Sequence, residues 1–141
     1  MYEQLSKPRI IQILRDHRIS PTIQRVEIAQ ILLSKKQHLS ADQVLEIVNS
    51  DRAKVSKATI YNTLGLFARK GLVKELIIDP NKVFYDSNVS EHHHFFNIET
   101  GELMDIDTDC QFLGELPCLP EGTVATGVEV VIRVKQVESA V

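Results

Sequence analysis

Residues 56–86 read SKATIYNTLGLFARKGLVKELIIDPNKVFYD, and the fold turns on where this stretch changes its period. From Ser56 onward, Ile60, Leu64, Phe67 and Ala68 fall at i, i+4, i+7 and i+8, the stripe of an amphipathic helix that Ser56 can cap. Gly71 stands where a helix ends on a left-handed residue. Beyond it the pattern becomes that of strands. Leu72–Ile78 and Val83–Asp86 flank Asp79-Pro80-Asn81-Lys82, whose Pro and Asn suit a turn.

Upstream, the chain reads as three more helices. Pro8 follows Ser6 at a helix start, and Ile10, Ile11, Ile13 and Leu14 supply an apolar stripe through Asp16. Ser20-Pro21-Thr22 opens a second helix with Val26, Ala29, Leu32 and Leu33 on one face. Ser40-Ala41-Asp42-Gln43 is a capping box that opens a third, carrying Val44, Leu45 and Val48. Short helices followed by a β-hairpin make the winged-helix arrangement. After residue 88 the chain is strand-rich. His94–Ile98 and Leu103–Ile106 flank the turn Glu99-Thr100-Gly101, Pro117 and Pro120 mark a loop, and Val128–Val137 is the strongest β-branched run.

The net charge of −3 hides an opposition. Residues 1–88 carry fourteen Lys/Arg against nine Asp/Glu, whereas residues 89–141 carry two against ten. A basic first half can face a polyanion and an acidic second half cannot, which points to two modules with different work. No apolar run approaches the ~20 residues of a membrane helix, and the first residues lack a signal peptide's apolar core. Two cysteines, Cys110 and Cys118, are too few to staple a secreted fold, so the expected compartment is the cytoplasm. The histidine run contains no His-Glu-x-x-His and no nucleophile constellation accompanies it, so an enzyme is not expected.

On the helix of residues 56–70, Lys57, Thr59, Tyr61 and Asn62 lie off the face carrying Ile60, Leu64 and Phe67. A helix with its apolar side docked and its polar N-terminal side exposed suits a major groove. Tyr61 can contact thymine methyls, and Asn62 can pair with an adenine edge. Arg25, Arg52, Lys54 and Lys82 are candidates to hold phosphates. The alternative is a solvated helix face that binds nothing, which the charge split and the helix–hairpin order disfavour.

Of the five histidines, His17 ends the first helix, where a cation suits the dipole, and His38 precedes the third. His92, His93 and His94 form a run before a strand. On extended backbone His92 and His94 share a face and His93 points away, so two imidazoles make half a metal site. Asp86 and Asp105 could add oxygen ligands.

Several separated motifs carry a family resemblance. Pro21-Thr22-Ile23-Gln24-Arg25, His38-Leu39-Ser40-Ala41-Asp42, Ser56 to Leu64, Gly71-Leu72-Val73 and Glu91-His92-His93-His94 resemble the ferric uptake regulator (Fur) superfamily in order and spacing. The resemblance implies an α+β protein with an N-terminal winged-helix DNA-binding domain over residues 1–86 and a small α/β dimerisation domain over residues 87–141. It implies a homodimer on double-stranded, inverted-repeat operator DNA, with Tyr61 in base contact and Arg25 in phosphate contact. It further implies a sensing metal between the two domains, with His38, Asp86, His92, His94 and Asp105 as ligands. Imidazoles with carboxylates suit Fe2+ or Mn2+, and Zn2+ in vitro, more than Cu(I).

Many relatives hold a structural zinc through a Cys-x-x-Cys pair on the first strands of the second domain and another near the C-terminus. Asn97 and Thr100 stand at the first pair's positions here, and Val134–Val141 has no cysteine, so no four-cysteine structural zinc is expected. The dimer would then rest on apolar strand pairing alone. This loss, the triple histidine before Phe95-Phe96 and the ending Val128 to Val134 resemble the iron response regulator (Irr) branch. That branch implies haem at His92, His93 and His94 and control of iron and haem homeostasis genes. No cysteine precedes Cys110, so histidine is the haem ligand this chain can offer. A manganese- or peroxide-responsive repressor of the same superfamily is the alternative.

Overall fold

The computed structural model describes residues 5–50, 55–90, 92–106 and 116–138. The chain divides into two compact units, residues 1–89 and 90–141. The first contains α1 (Lys7–Asp16), α2 (Ile23–Leu33), β1 (His38–Ser40), α3 (Ala41–Val48), α4 (Lys57–Arg69), β2 (Lys74–Asp79) and β3 (Lys82–Asp86). The second contains β4 (His94–Asn97), β5 (Leu103–Asp105) and β6 (Val131–Val134).

Each helix of the first unit starts on a side-chain cap. Ser6, Thr22, Ser40 and Ser56 accept hydrogen bonds from the backbone N–H groups of Arg9, Arg25, Gln43 and Thr59. At Ser40 the reciprocal bond from its own N–H to Gln43 Oε1 (2.8 Å) completes the box. Such caps contribute about 1 kcal/mol each. α4 ends as its glycine requires. Gly71, at φ +77°, donates to the Ala68 carbonyl and Leu72 to that of Phe67, a Schellman closure. α1 closes through the same pair of bonds, Arg18 to Arg15 and Ile19 to Leu14, but with Arg18 rather than glycine at φ +60°.

The apolar stripes meet in one core. Ile10 and Leu14 from α1, Ile28 and Leu32 from α2, Val44 from α3, and Ile60, Leu64 and Phe67 from α4 have no exposed surface. Each such side chain contributes about 1.5–3 kcal/mol relative to exposure. On α2, Ile28 is buried and Leu33 only half so, because the inward arc runs through Val26, Ala29 and Leu32 on the side of Ile28.

The strands differ from the sequence reading in their lengths and in one addition. β2 begins at Lys74, since Leu72 and Val73 belong to the α4 closure and the core. The two-residue turn Pro80-Asn81 joins β2 to β3, with Asn81 N–H donating to Asp79 Oδ1 (2.8 Å). The addition is β1, which pairs antiparallel with β3 and gives the sheet order β1-β3-β2. His38 therefore lies on a strand, with Asp86 as its cross-strand partner. Ser87 fastens this edge: its Oγ donates to the Lys35 carbonyl (3.0 Å) and its N–H to that of Gln37 (3.0 Å). These bonds keep residues 87–89 with the first unit, beyond the expected boundary at 86/87.

In the second unit β4 pairs antiparallel with β5 and parallel with β6, in the order β5-β4-β6. Of the run Val128–Val137, only Val131–Val134 forms strand, because its partner β4 offers just four residues. β4 stops at Asn97, whose Oδ1 accepts from the N–H groups of Glu99 (2.9 Å) and Thr100 (3.1 Å) to build the turn. The second unit holds strands and turns but no helix among the described residues; residues 107–115, including Cys110, lie outside them.

Candidate functional site

α4 presents its polar face as its sequence implies. Ile60, Thr63, Leu64 and Phe67 are buried, whereas Lys57, Tyr61 and Asn62 are exposed. Thr59 is a different case. Its N–H donates to Ser56 Oγ (3.2 Å) and its hydroxyl oxygen accepts from the Ser56 hydroxyl (2.9 Å), so it serves the helix cap and is half-buried.

Asn49 positions the start of this helix, although Arg52 and Lys54 lie outside the described residues. Its Nδ2 donates to the Val55 carbonyl (2.9 Å) and its Oδ1 accepts from the Val55 N–H (3.1 Å). One amide thus fixes both polar groups of the residue immediately before the Ser56 cap. Arg25 lies on the first turn of α2 and reaches back to the preceding loop, donating from Nη1 to the Ser20 carbonyl (2.9 Å). Lys82 is exposed at the first position of β3, beside the turn.

Around α4 the structure adds a residue that the capping-box motif alone did not single out for function. Asp42, on the first turn of α3, has its Oδ1 3.7 Å from Lys57 Nζ and 3.5 Å from the Tyr61 hydroxyl. Lys57 Nζ in turn lies 5.7 Å from the Tyr61 ring centroid. Tyr61 and Asp42 also line a cleft of about 200 Å³ with Pro80, Asn81 and Tyr85. Tyr85 is buried there, and its hydroxyl is pushed above the ordinary tyrosine pKa of 10.0 by desolvation, then by the charges of Glu75 and Tyr61.

The metal-ligand candidates fall into one set per unit. In the first, His38 and Asp86 face each other across β1 and β3, with ligand atoms within 4.8 Å of each other. Asp86 is buried, and its Oδ1 accepts from the Asn88 N–H (2.8 Å). In the second, Asp105 Oδ1 receives two histidines, with His94 Nε2 at 3.2 Å and His92 Nε2 at 3.5 Å. The two rings are 4.4 Å apart between centroids. His92 Nδ1 meets the Ser90 carbonyl at 2.7 Å. With Nδ1 as donor the neutral ring presents Nε2 as a lone pair, the form a metal ligand requires. Two imidazole nitrogens converging on one carboxylate oxygen suit a divalent ion of the Mn2+, Fe2+ or Zn2+ kind.

His93 does not join them. Its Nδ1 accepts the Val130 N–H (3.1 Å), which ties the start of β4 to the entry of β6. Strand alternation separates it from His92 and His94, so the three rings do not converge on one ligand and the haem expectation gains no geometric support. Asn97 and Thr100 build the β4–β5 turn with their side chains, and Cys118 is an exposed thiol. His17 Nδ1 meets the Ile13 carbonyl at 2.8 Å, a role at the end of α1.

The family model described as the Ferric uptake regulator family matches residues 16–113. This chain belongs to the ferric uptake regulator family. The peroxide-responsive repressor PerR of Staphylococcus aureus (strain Mu50 / ATCC 700699) is 35% identical over 92 residues, 65% of this chain and 62% of that protein. Among solved structures, the ferric uptake regulator of Vibrio cholerae has a TM-score of 0.70 at 18% identity, covering 89% of this chain and 98% of that one. The Pseudomonas aeruginosa ferric uptake regulator with manganese has a TM-score of 0.67 at 23% identity, covering 90% and 97%. At such identities the likeness speaks for the fold, an α+β chain whose first unit is a winged helix, as in other members of the ferric uptake regulator family. Among the described residues, no helix is long and apolar enough to cross a membrane.

Proposed function

We propose that this chain is a metal-responsive transcriptional regulator that binds operator DNA as a homodimer. The observation that carries the reading is the exposed N-terminal face of α4, bearing Lys57, Tyr61 and Asn62, in a member of this family. Tyr61 and Asn62 read base edges in the major groove, while Lys57, Arg25 and Lys82 hold phosphates. The dimer's two-fold axis makes the operator an inverted repeat. Exposed apolar side chains along and beside β6, Val128, Ile132 and Val137 among them, support self-association. A protein working on operators in this way resides in the cytoplasm.

The effector is a divalent ion held by His38, Asp86, His92, His94 and Asp105. Bound metal supplies a positive charge that draws these side chains together, favouring the conformation that binds DNA. Fe2+ is the leading ion, with iron homeostasis genes as targets. The 35% identity to a peroxide-responsive repressor supports a second reading, a manganese- or peroxide-responsive repressor.

A duplex selected by the protein from a random pool tests both. Binding should rise at least tenfold when Fe2+ or Mn2+ is added to metal-free protein, and Asp105→Ala should abolish that rise. Peroxide releasing the duplex from the Fe2+ form but not the Mn2+ form would favour the second reading. Metal-independent binding in wild type would refute the metal-responsive part, and no selectable duplex would refute the whole.

A further inference from the structure

We propose that Asp42 sets how sharply this protein separates its operator from other DNA, by holding the phosphate-contacting Lys57 and the base-reading Tyr61 of α4 in the DNA-free state. The proposal rests on the DNA-binding reading above and deepens it. Asp42 belongs to the first turn of α3, where any outward-pointing carboxylate would satisfy the helix dipole. That role does not account for its partners, which come from a different helix. Its Oδ1 lies 3.7 Å from Lys57 Nζ and 3.5 Å from the Tyr61 hydroxyl, and Lys57 sits beside the Tyr61 ring.

Both contacts are long, and the side chains of Lys57 and Asp42 are 65% and 70% exposed, so the pairing is soft and exchanges readily. A carboxylate holding an ammonium group occupies the place that a phosphate oxygen would take. On random DNA, where phosphate contacts supply nearly all the affinity, Lys57 must leave Asp42 before it can contribute. The same departure costs as much on the operator, so discrimination comes from Tyr61, which enters the operator's groove from an orientation that Asp42 has already restricted. Asp42 is therefore a positioning residue: it weakens phosphate-driven binding to all DNA alike and prepares Tyr61 for the operator.

The test compares Mn2+-loaded wild type, Asp42→Ala, Asp42→Asn, Lys57→Ala and the double variant Asp42→Ala/Lys57→Ala. The probes are a duplex selected by wild type and a mixed-sequence duplex of equal length. Asp42→Ala should bind the mixed duplex about threefold more tightly, the scale of an exposed ion pair. Its plot of log K against log salt should steepen by up to about 0.9, one further counterion released. The selected duplex should gain less, so discrimination falls. Asp42→Asn keeps an acceptor for Tyr61 and should keep discrimination while binding both duplexes more tightly. In the Lys57→Ala background, Asp42→Ala should no longer steepen the salt plot. Unchanged discrimination and slope in Asp42→Ala, or a slope change that persists without Lys57, would overturn the proposal. Wild type that selects no duplex would instead refute the DNA-binding reading and this proposal with it, whereas a selective wild type keeps the two separable.

Discussion

Arg18→Gly should leave this protein more stable than Arg18→Ala does, although glycine is the more flexible residue in the unfolded chain. Arg18 is the left-handed residue that closes α1, at φ +60°, and its N–H and that of Ile19 make Schellman bonds of 2.9 Å each. A side-chain-bearing residue in that conformation costs about 1–2 kcal/mol against a right-handed one. Glycine removes the strain but loses about 0.5–1 kcal/mol more chain entropy on folding. The guanidinium near the C-terminus of α1 also contributes about 0.3–1 kcal/mol through the helix dipole, and glycine forfeits it. Arg18→Ala separates these effects, since it forfeits the charge and keeps the strain. Glycine should therefore exceed alanine in stability by about 1 kcal/mol, equivalent to about 4–8 °C in Tm for a unit of this size. Urea unfolding at about 0.15 M salt, with calorimetry to assign the transition of the first unit, measures the difference. Equal stability of the Gly and Ala variants would show that the backbone at residue 18 stores no strain, and the reasoning would fail.

Ser40→Ala should cost about 1 kcal/mol, because it removes the Gln43 N–H cap at the junction of β1 and α3. Urea unfolding that matches wild type would count against the capping box as a stabilising feature. Tyr85→Phe should flatten the alkaline loss of stability. The raised folded-state pKa means that Tyr85 keeps its proton longer folded than unfolded, so its contribution is complete below pH 10.0 and is lost as pH rises through the folded value. Urea melts between about pH 8 and 11 read this, and parallel declines in the two proteins would refute it.

The parts of the fold visible in the sequence were those with a local physical signature. Ser40 and Gln43 satisfy each other's backbone over three residues, and Gly71 announces its conformation by its identity, so helix limits were readable to within a residue or two. β1 had no such mark. Three residues cannot display an alternation, and what makes His38-Leu39-Ser40 a strand is pairing with residues 84–86, far along the chain. The clasp at Ser87 is equally silent, since its partners Lys35 and Gln37 are some fifty positions away. At the site, alternation was enough to group His92 with His94 and exclude His93. It did not foretell the Val130 bond that occupies His93, nor the cross-helix reach of Asp42 to Lys57 and Tyr61. Nor did it show that Thr59 bonds the Ser56 cap, since a helical wheel records direction and not hydrogen bonding.

The parallel ladder between β4 and β6 has a consequence for the order in which the molecule is made. Asn97 aligns with Val134, so the ladder closes a loop of more than thirty residues, while β4 and β5 meet across a short turn. The helices of the first unit depend on contacts between neighbours in sequence and can form as soon as residues 1–89 are synthesised. Until residues 131–134 follow, β4 and β5 make, among the described residues, a two-stranded ribbon, which is marginal in water. A nascent chain would thus carry a finished first unit and an unfinished second one, with Phe96 and Leu103, both buried in the complete sheet, still exposed to other chains.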